Sequence, residues 1–303
     1  MTTHEAAEAA RLRLRHAEAV GAASVRTRRA RSARGYLVLG LATVAILAAL
    51  FPLVDIIALV TVHGIAAMKL SLFTTVTSGV AGGLQNAILG TLVLVAGGMI
   101  IAGPLGVFTG IYLAEWAEPR VAAVLRYLSD VLVGVPSIVI GYFGFAVFVT
   151  GLGWGFSLAA GAIALATFML PYIVRTTELA LTKVPGELRE GSLALGITRG
   201  RTIHSVSLPV AAPGILTGLL LALGIGLGET APLIYTASWS NYDPHLVPTH
   251  SPVGYLTYVV WTFINQPFSA SHELAYAAAL LLLIGVLVLN LVARQLLVGR
   301  QAD

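Results

Sequence analysis

The chain of 303 residues contains no cysteine, which excludes disulfide bonds, iron–sulfur clusters and thiolate zinc sites. Charge is also scarce, because only 11% of the residues are Asp, Glu, Lys or Arg, whereas a soluble domain carries about 25%. The hydrophobic residues make up 57%. A soluble enzyme is therefore excluded, and the composition predicts an all-α polytopic membrane protein.

Several motifs of known chemistry are missing as well. The chain has no Gly-x-x-x-x-Gly-Lys-Ser/Thr phosphate loop, so we expect it not to bind ATP itself. It has no Gly-x-Ser-x-Gly or His-Glu-x-x-His motif, and none of its seven histidines forms an i, i+4 pair. These absences argue against a membrane-embedded enzyme, and they predict that the chain itself holds neither a metal nor a cofactor.

Six apolar stretches divide the chain, and a membrane-crossing helix needs about 20 such residues. The predicted spans cover residues 36–60, 84–113, 131–150, 158–174, 210–235 and 274–292. Together they form a transmembrane domain over residues 36–293, with a short polar loop at 61–83. An Arg-rich tail, residues 1–35, precedes this domain, and a short tail, residues 294–303, follows it. Pro104 predicts a kink or a short re-entry in the second span.

The placement of the basic residues tests this partition. With the amino terminus in the cytoplasm, the inner segments are 1–35, 114–130, 175–209 and 293–303, and they hold eight, two, five and two Lys or Arg. Seventeen of the eighteen basic residues then lie inside, and only Lys69 lies outside. We therefore expect both termini in the cytoplasm. The net charge of +4 is explained by orientation and by attraction to lipid headgroups, not by nucleic-acid binding.

The longest charged loop between spans, residues 175–209, has the pattern of a short helical hairpin. Pro185 can begin a helix with Glu187 in its first turn, and Gly196 can end it. Its apolar side consists of Leu188, Leu193 and Leu195. A second short helix then leads into the fifth span. Such a helix can dock in the groove of a soluble partner, or it can lie on the membrane surface.

The spacing within this loop resembles the EAA loop of ABC importer permeases. In that family the order is Glu-Ala-Ala, three residues, Gly, nine residues, Ile, one residue and Leu-Pro. The matching residues here are Glu190, Gly191, Ser192, Gly196, Val206, Leu208 and Pro209. The resemblance implies that Glu187–Gly196 is a coupling helix that inserts into an ATPase groove.

Further stretches resemble the phosphate-transport permeases of the PstA type. They are GIYLAEW at 110–116, GVPSIVIGYFG at 134–144 and GETAPLIYTA at 228–237, within a resemblance that covers about residues 75–293. It implies the type I ABC importer permease fold, with six transmembrane helices and a cytoplasmic coupling helix, in a bacterial inner membrane. In that family an arginine often precedes the Gly-Glu-Thr-Ala-Pro motif by a helical turn. Residues 224–227 of this chain contain no basic residue.

The resemblance also implies a set of partners. These are a second homologous permease subunit forming a heterodimer, two ATPase subunits that bind ATP and Mg, an extracytoplasmic phosphate-binding protein, and membrane lipid. Two alternatives stay open: a permease for another oxyanion (phosphonate, sulfate or molybdate), and a secondary carrier without an ATPase. Such carriers usually show inverted repeats of hydropathy, and the spans show no convincing repeat.

The predicted fifth span contains one carboxylate, Glu229, with Thr230 and Pro232 beside it. A charge at bilayer depth costs several kcal/mol unless it is paired, hydrated or protonated. Glu229 could line the translocation path, pair with a cation of a partner helix, or lie in interfacial water. A carboxylate repels phosphate, so a gating or structural pair is favoured over direct substrate binding.

Arg175 lies at the inner end of the predicted fourth span. One interpretation is a positive-inside anchor. The other is a contact for an anion at the inner mouth, because the planar donor fork of arginine suits phosphate oxygens.

Overall fold

The computed structural model describes residue 35 and residues 38–299. The predicted Arg-rich tail lies outside the described residues apart from residue 35, as do residues 300–303 of the second tail. The helices are α1 (Val38–Ala67), α2 (Ser71–Thr74), α3 (Gln85–Glu115), α4 (Pro119–Gly134), α5 (Ser137–Gly144), α6 (Leu158–Thr182), α7 (Gly186–Ala194), α8 (Arg199–Thr202), α9 (Leu208–Gly228), α10 (Ala231–Thr236), α11 (Leu256–Phe263) and α12 (Ser269–Gly299). Two π-helical segments, π1 (Phe145–Gly151) and π2 (Ile203–Ser207), follow α5 and α8. The chain divides into two compact units, residues 1–59 and 60–303.

Five helices of the described ranges are long and apolar enough to cross a membrane. They are α1, α3, α6, α12 and the continuous helix Arg199–Gly228 that α8, π2 and α9 form together. A sixth span results if α4 and the helix Ser137–Gly151 count as one broken span, since they meet at an angle of 97°. The predicted all-α membrane architecture with six transmembrane segments is confirmed in this sense.

The break between α4 and α5 lies at Val135 and Pro136. Proline has no N–H to donate and disfavours helical backbone at the residue before it. Val135 is accordingly extended, with ψ 127°. The predicted third span, residues 131–150, therefore begins in the last turn of α4 and continues beyond the bend.

Other helices extend beyond their predicted spans. Helix α1 continues to Ala67, into the predicted loop, and α6 continues to Thr182 instead of ending at residue 174. Hydropathy marks the part of a helix that suits lipid, whereas backbone hydrogen bonds continue into polar sequence. Helix α3 runs on through Pro104, where a kink was predicted, as helices in membranes often tolerate proline.

The core of the second unit is the contact between α3 and α6, which small residues bring close together. A Cβ atom at Gly106 would stand 2.7 Å from the Ile173 Cβ, and one at Gly110 would stand 2.5 Å from the Thr177 Cβ. Larger side chains at these positions would push the helices apart. Such packing of small residues is how helices associate where no water drives them together.

A small antiparallel hairpin, β1 (Thr77–Ser78) and β2 (Ala81–Gly82), precedes α3 at the end of the bundle away from α7. The fully buried Asn86 accepts a hydrogen bond from the Thr77 N–H at 3.0 Å and donates one to the Ser240 carbonyl at 2.8 Å. Asn86 thus ties the hairpin to the segment between α10 and α11.

Candidate functional site

Helix α7 begins and ends where the sequence predicts. Pro185 precedes it with ψ 133°, and a proline at a helix start needs no N–H of its own. Gly196 adopts φ +75°, the left-handed region that favours glycine. The Gly196 N–H donates to the Leu193 carbonyl at 2.9 Å, and the Ile197 N–H reaches the Ser192 carbonyl at 3.3 Å. These two bonds form a Schellman cap, so Gly196 ends the helix as predicted.

One side of α7 is exposed. Glu187 lies in the first turn, where the helix dipole favours a carboxylate, and Glu190 is exposed one turn later. A Cβ atom at Gly191 would meet no atom within 4 Å. Leu188, Leu193 and Leu195 are also exposed, the last at 81% of its full area. At 3.6 residues per turn Leu188 and Leu193 lie on either side of Arg189 and Ser192, so the leucines do not form the single apolar side that was predicted. The exposed side thus carries the two carboxylates, with leucines at its edges.

The opposite side of α7 is bound to the following helix. The Ser192 hydroxyl lies 2.9 Å from the Thr202 hydroxyl, and both side chains are buried. This hydrogen bond joins α7 to α8 across the turn at Gly196. Ser192 occupies an alanine position of the EAA pattern, and its hydroxyl makes a bond that an alanine could not make.

An arginine also fixes α7 to two membrane helices. The Arg189 Nη2 donates to the Glu115 Oε1 at 2.8 Å and to the Leu181 carbonyl at 2.7 Å. Arg199 donates to the backbone carbonyl of Glu115. Neither Glu115 nor Arg189 stands out in the sequence. Glu115 is only a lone carboxylate at the end of an apolar stretch. Because 74 residues separate it from Arg189, no helical spacing could indicate that the two side chains meet.

The Leu-Pro pair of the EAA pattern lies where α8 continues into α9. Leu208 is half-buried and packs against the apolar cluster around Ile111 and Leu181. Pro209 is exposed in the first turn of α9. Because proline cannot donate to the preceding turn, the wider turn of π2 just before it accommodates the ring. The predicted second short helix is therefore not separate but the beginning of the helix that contains the fifth span.

Arg175 forms an ion pair within its own helix. Its Nη1 lies 3.2 Å from the Glu178 Oε2, and the Arg126 Nε lies 2.6 Å from the Glu178 Oε1. The Glu178 side chain is only 4% exposed, whereas the two arginines are about half exposed. Glu178 therefore links α4 to α6. The roles of Glu178 and Arg126 were not predicted, although the i, i+3 spacing of Arg175 and Glu178 is a usable signal in the sequence.

Glu229 lies at a break in the backbone. Helix α9 ends at Gly228, Glu229 is extended with ψ 130°, and α10 begins at Ala231 after Thr230. The Thr257 hydroxyl donates to the Glu229 carbonyl at 2.8 Å and so supports the break. Within the described residues, the half-buried Glu229 carboxylate has neither a salt bridge nor a hydrogen bond. The predicted fifth span, 210–235, is thus two helices.

The structure brings together two of the motifs that carry the family resemblance. Residues 134–144 include α5, and residues 228–237 include α10, which packs against α5. A Cβ atom at Gly144 would stand 2.8 Å from the Thr236 Cγ2. Pro232 is buried in this contact. Glycine in one motif therefore permits the close approach of the other.

The buried carboxylates of this region are paired with arginines. In residues 38–299, no three His, Asp or Glu side chains are arranged to hold a metal ion. Glu115 and Glu178 are both paired with arginine. Such pairs fix helices to one another, and an exposed helix side that carries carboxylates and leucines can bind another protein.

Comparisons with curated proteins find relatives along most of the chain. The phosphate transport system permease protein PstA 2 of Mycobacterium tuberculosis is 49% identical over 218 residues, which is 72% of each chain. PstA of Haemophilus influenzae is 38% identical and covers 87% of this chain and 94% of its own. PstA of Yersinia pestis is 41% identical over 266 residues.

Solved structures share the fold. A chain of the alginate ABC transporter in complex with alginate pentasaccharide-bound periplasmic protein aligns with a TM-score of 0.61 at 16% identity, covering 86% of this chain and 93% of its own. A chain of the MetNI methionine ABC transporter, in an inward-facing conformation, gives 0.56 at 20% identity over 77% of this chain and 99% of its own. The predicted type I importer fold is confirmed. Residues 106–297 match the binding-protein-dependent transport system inner membrane components, and the chain belongs to that family.

Proposed function

We propose that the chain is the transmembrane permease subunit of an ATP-driven importer. The observation that carries this proposal is that α7 is bound to the bundle on one side and exposed on the other. Arg189 and Ser192 bind one side of the helix to the bundle, while Glu187, Glu190 and Gly191 on the other side are exposed. A helix that is held on one side and free on the other can transmit the movement of a docked protein to the membrane helices.

The partner for the exposed face of α7 is an ATPase subunit with an apolar groove and basic residues at its rim. Two such subunits bind ATP and Mg on the cytoplasmic side, where both termini of this chain lie. A second, homologous permease subunit completes the pathway as a heterodimer. An extracytoplasmic binding protein delivers the substrate on the other side. The family supports this arrangement, because its members work with binding proteins at the inner membrane.

Inorganic phosphate is the proposed substrate. Relatives at 38–49% identity are phosphate transport permeases. The motif at residues 228–237, which is one of those that resemble the phosphate permeases, contains α10, and this helix packs against α5 and α6. Arg175 serves as a positioning residue through Glu178 and leaves part of its guanidinium exposed. Glu229, with Thr230 and Pro232 at the helix break, acts in gating and pairs with a cation of the second permease subunit.

The decisive experiment is ATP-dependent uptake of phosphate by the complex, purified with its partner subunits and reconstituted into vesicles. We expect uptake to require ATP and to resist competition by sulfate, molybdate and phosphonate. Strong competition by one of these would instead assign that oxyanion. Uptake without ATP, and without a co-purifying ATPase subunit, would assign a secondary carrier.

A further inference from the structure

Glu115 is the last residue of α3, and its carboxylate is only 6% exposed. A buried carboxylate without a partner is strongly destabilising, whereas a paired one is tolerated. In the described part of the chain, the partner is Arg189 of α7, at 2.8 Å. The pair therefore holds α7 against the end of α3, although Glu115 and Arg189 are 74 residues apart in the sequence.

The same guanidinium contacts a third element. The Arg189 Nη2 also donates to the carbonyl of Leu181, in the last turn of α6, at 2.7 Å. One nitrogen of α7 thus bonds to the ends of both α3 and α6. Since these two helices pack closely along glycines 106 and 110, they offer a common support.

A second arginine reaches the same residue from beyond the Gly196 turn. Arg199, the first residue of α8, donates to the Glu115 backbone carbonyl. This carbonyl is at the carboxyl end of α3, where the helix dipole favours a cation. Arg189, which precedes the Gly196 turn, and Arg199, which follows it, therefore both bind the last residue of α3.

We propose that Glu115 is the positioning residue that makes α3 move with the coupling helix. This inference rests on the proposed function. The covalent chain connects α7 directly to α6 and to α8, but not to α3. The contact through Glu115 adds a direct connection between α7 and α3 to the packing of α3 on α6. Without it, docking and ATP hydrolysis continue, but the movement reaches α3 only through α6.

The first test is the ratio of phosphate uptake to ATP hydrolysis in the reconstituted complex. We expect Glu115→Ala and Arg189→Ala to lower this ratio by roughly tenfold, the effect of one charged hydrogen bond, while ATP hydrolysis persists. The matched control is Glu118→Ala, an exposed carboxylate three residues further along. The charge exchange Glu115→Arg with Arg189→Glu should restore part of the ratio. A Glu115→Ala complex with the wild-type ratio overturns the inference.

The second test measures movement and uses the absence of cysteine from the chain. Spin labels are placed on Tyr112→Cys and Ala194→Cys, exposed positions in α3 and α7. In the wild-type background, the distance between labels should stay constant when ATP binds. In the Glu115→Ala background it should change or broaden.

Two failures are distinguishable in these tests. A wild-type distance change of more than about 5 Å, one helical turn, overturns the inference even if uptake is ATP-dependent. A wild-type complex that takes up no phosphate with ATP contradicts the proposed function. In that case a constant label distance still supports the joint movement of α3 and α7, and a changed one overturns it.

Discussion

Gly141 of α5 lies against Pro232 of α10, so that a Cβ atom added at Gly141 would stand 2.8 Å from the Pro232 Cα. This contact joins the helix after the 97° bend to the helix after the break at Glu229. At Gly141 the two interrupted helices therefore pack on each other through backbone atoms, with no side chain that could yield.

Replacing Gly141 with leucine should separate α5 from α10. We expect a loss of about 1–3 kcal/mol in stability, because backbone atoms of Pro232 cannot give way, together with reduced phosphate uptake. Thermal unfolding in detergent and vesicle uptake measure the two effects. Gly134→Leu is the matched control, since a Cβ atom at Gly134 would meet nothing within 4 Å. Wild-type uptake by Gly141→Leu would show that this close approach is dispensable.

Replacing Gly196 with valine should uncouple ATP hydrolysis from uptake. The φ of +75° at Gly196 costs a residue with a Cβ atom about 1–2 kcal/mol, and a β-branched side chain costs more, so the turn after α7 shifts. We expect hydrolysis without uptake in the reconstituted complex. Gly200→Val, in α8 and also in open space, is the control and should keep both activities. Coupled transport by Gly196→Val would contradict the role assigned to this turn.

The stability losses from replacing the two arginines that pair with Glu178 should be strongly non-additive. Arg126→Ala and Arg175→Ala singly leave Glu178 one partner each, so we expect losses of about 1 kcal/mol. The double variant leaves a buried carboxylate unpaired and should lose about 3–5 kcal/mol. A double-mutant cycle by thermal or denaturant unfolding measures the difference. Adding Glu178→Gln to the double variant should recover most of the stability.

The same series separates the two interpretations of Arg175. If it only positions helices, Arg175→Ala keeps the apparent affinity for phosphate and changes stability alone. A rise in the KM of phosphate uptake at unchanged stability would instead assign it a contact with the anion.

Glu229→Gln should reduce phosphate uptake by about tenfold. A carboxylate at bilayer depth is energetically unfavourable unless it makes a charged interaction, and this substitution removes the charge that makes it. Assembly with the partner subunits, measured by co-purification, should be normal. The control is Glu273→Gln, since Glu273 pairs with Lys69 on the surface, where an ion pair contributes little. Unchanged uptake with normal assembly would remove Glu229 from the mechanism.

The sequence predicted features whose cause is local. Gly196 ends α7 because its own backbone conformation requires glycine, and Pro185 begins the helix for an equally local reason. These properties depend on a few neighbouring residues and can be seen in the sequence directly.

Features that depend on distant contacts escaped prediction. Glu115 and Arg189 meet because α3 and α7 end at one place, which no spacing along the chain encodes. The break at Glu229 lies between Gly228 and Pro232, but its support by Thr257 comes from a separate helix. Hydropathy located the apolar stretches and could not distinguish one helix from two that meet at a bend.

The continuous helix Arg199–Gly228 has a consequence for the range of movement. Its 30 residues measure about 45 Å at 1.5 Å per residue, and it begins beside the Gly196 turn and ends at Glu229. A tilt of about 6° about its amino-terminal end would carry the end beside Glu229 through about 5 Å, close to one helical turn. The length of this helix therefore sets how far the Glu229 break moves for a given tilt beside the Gly196 turn.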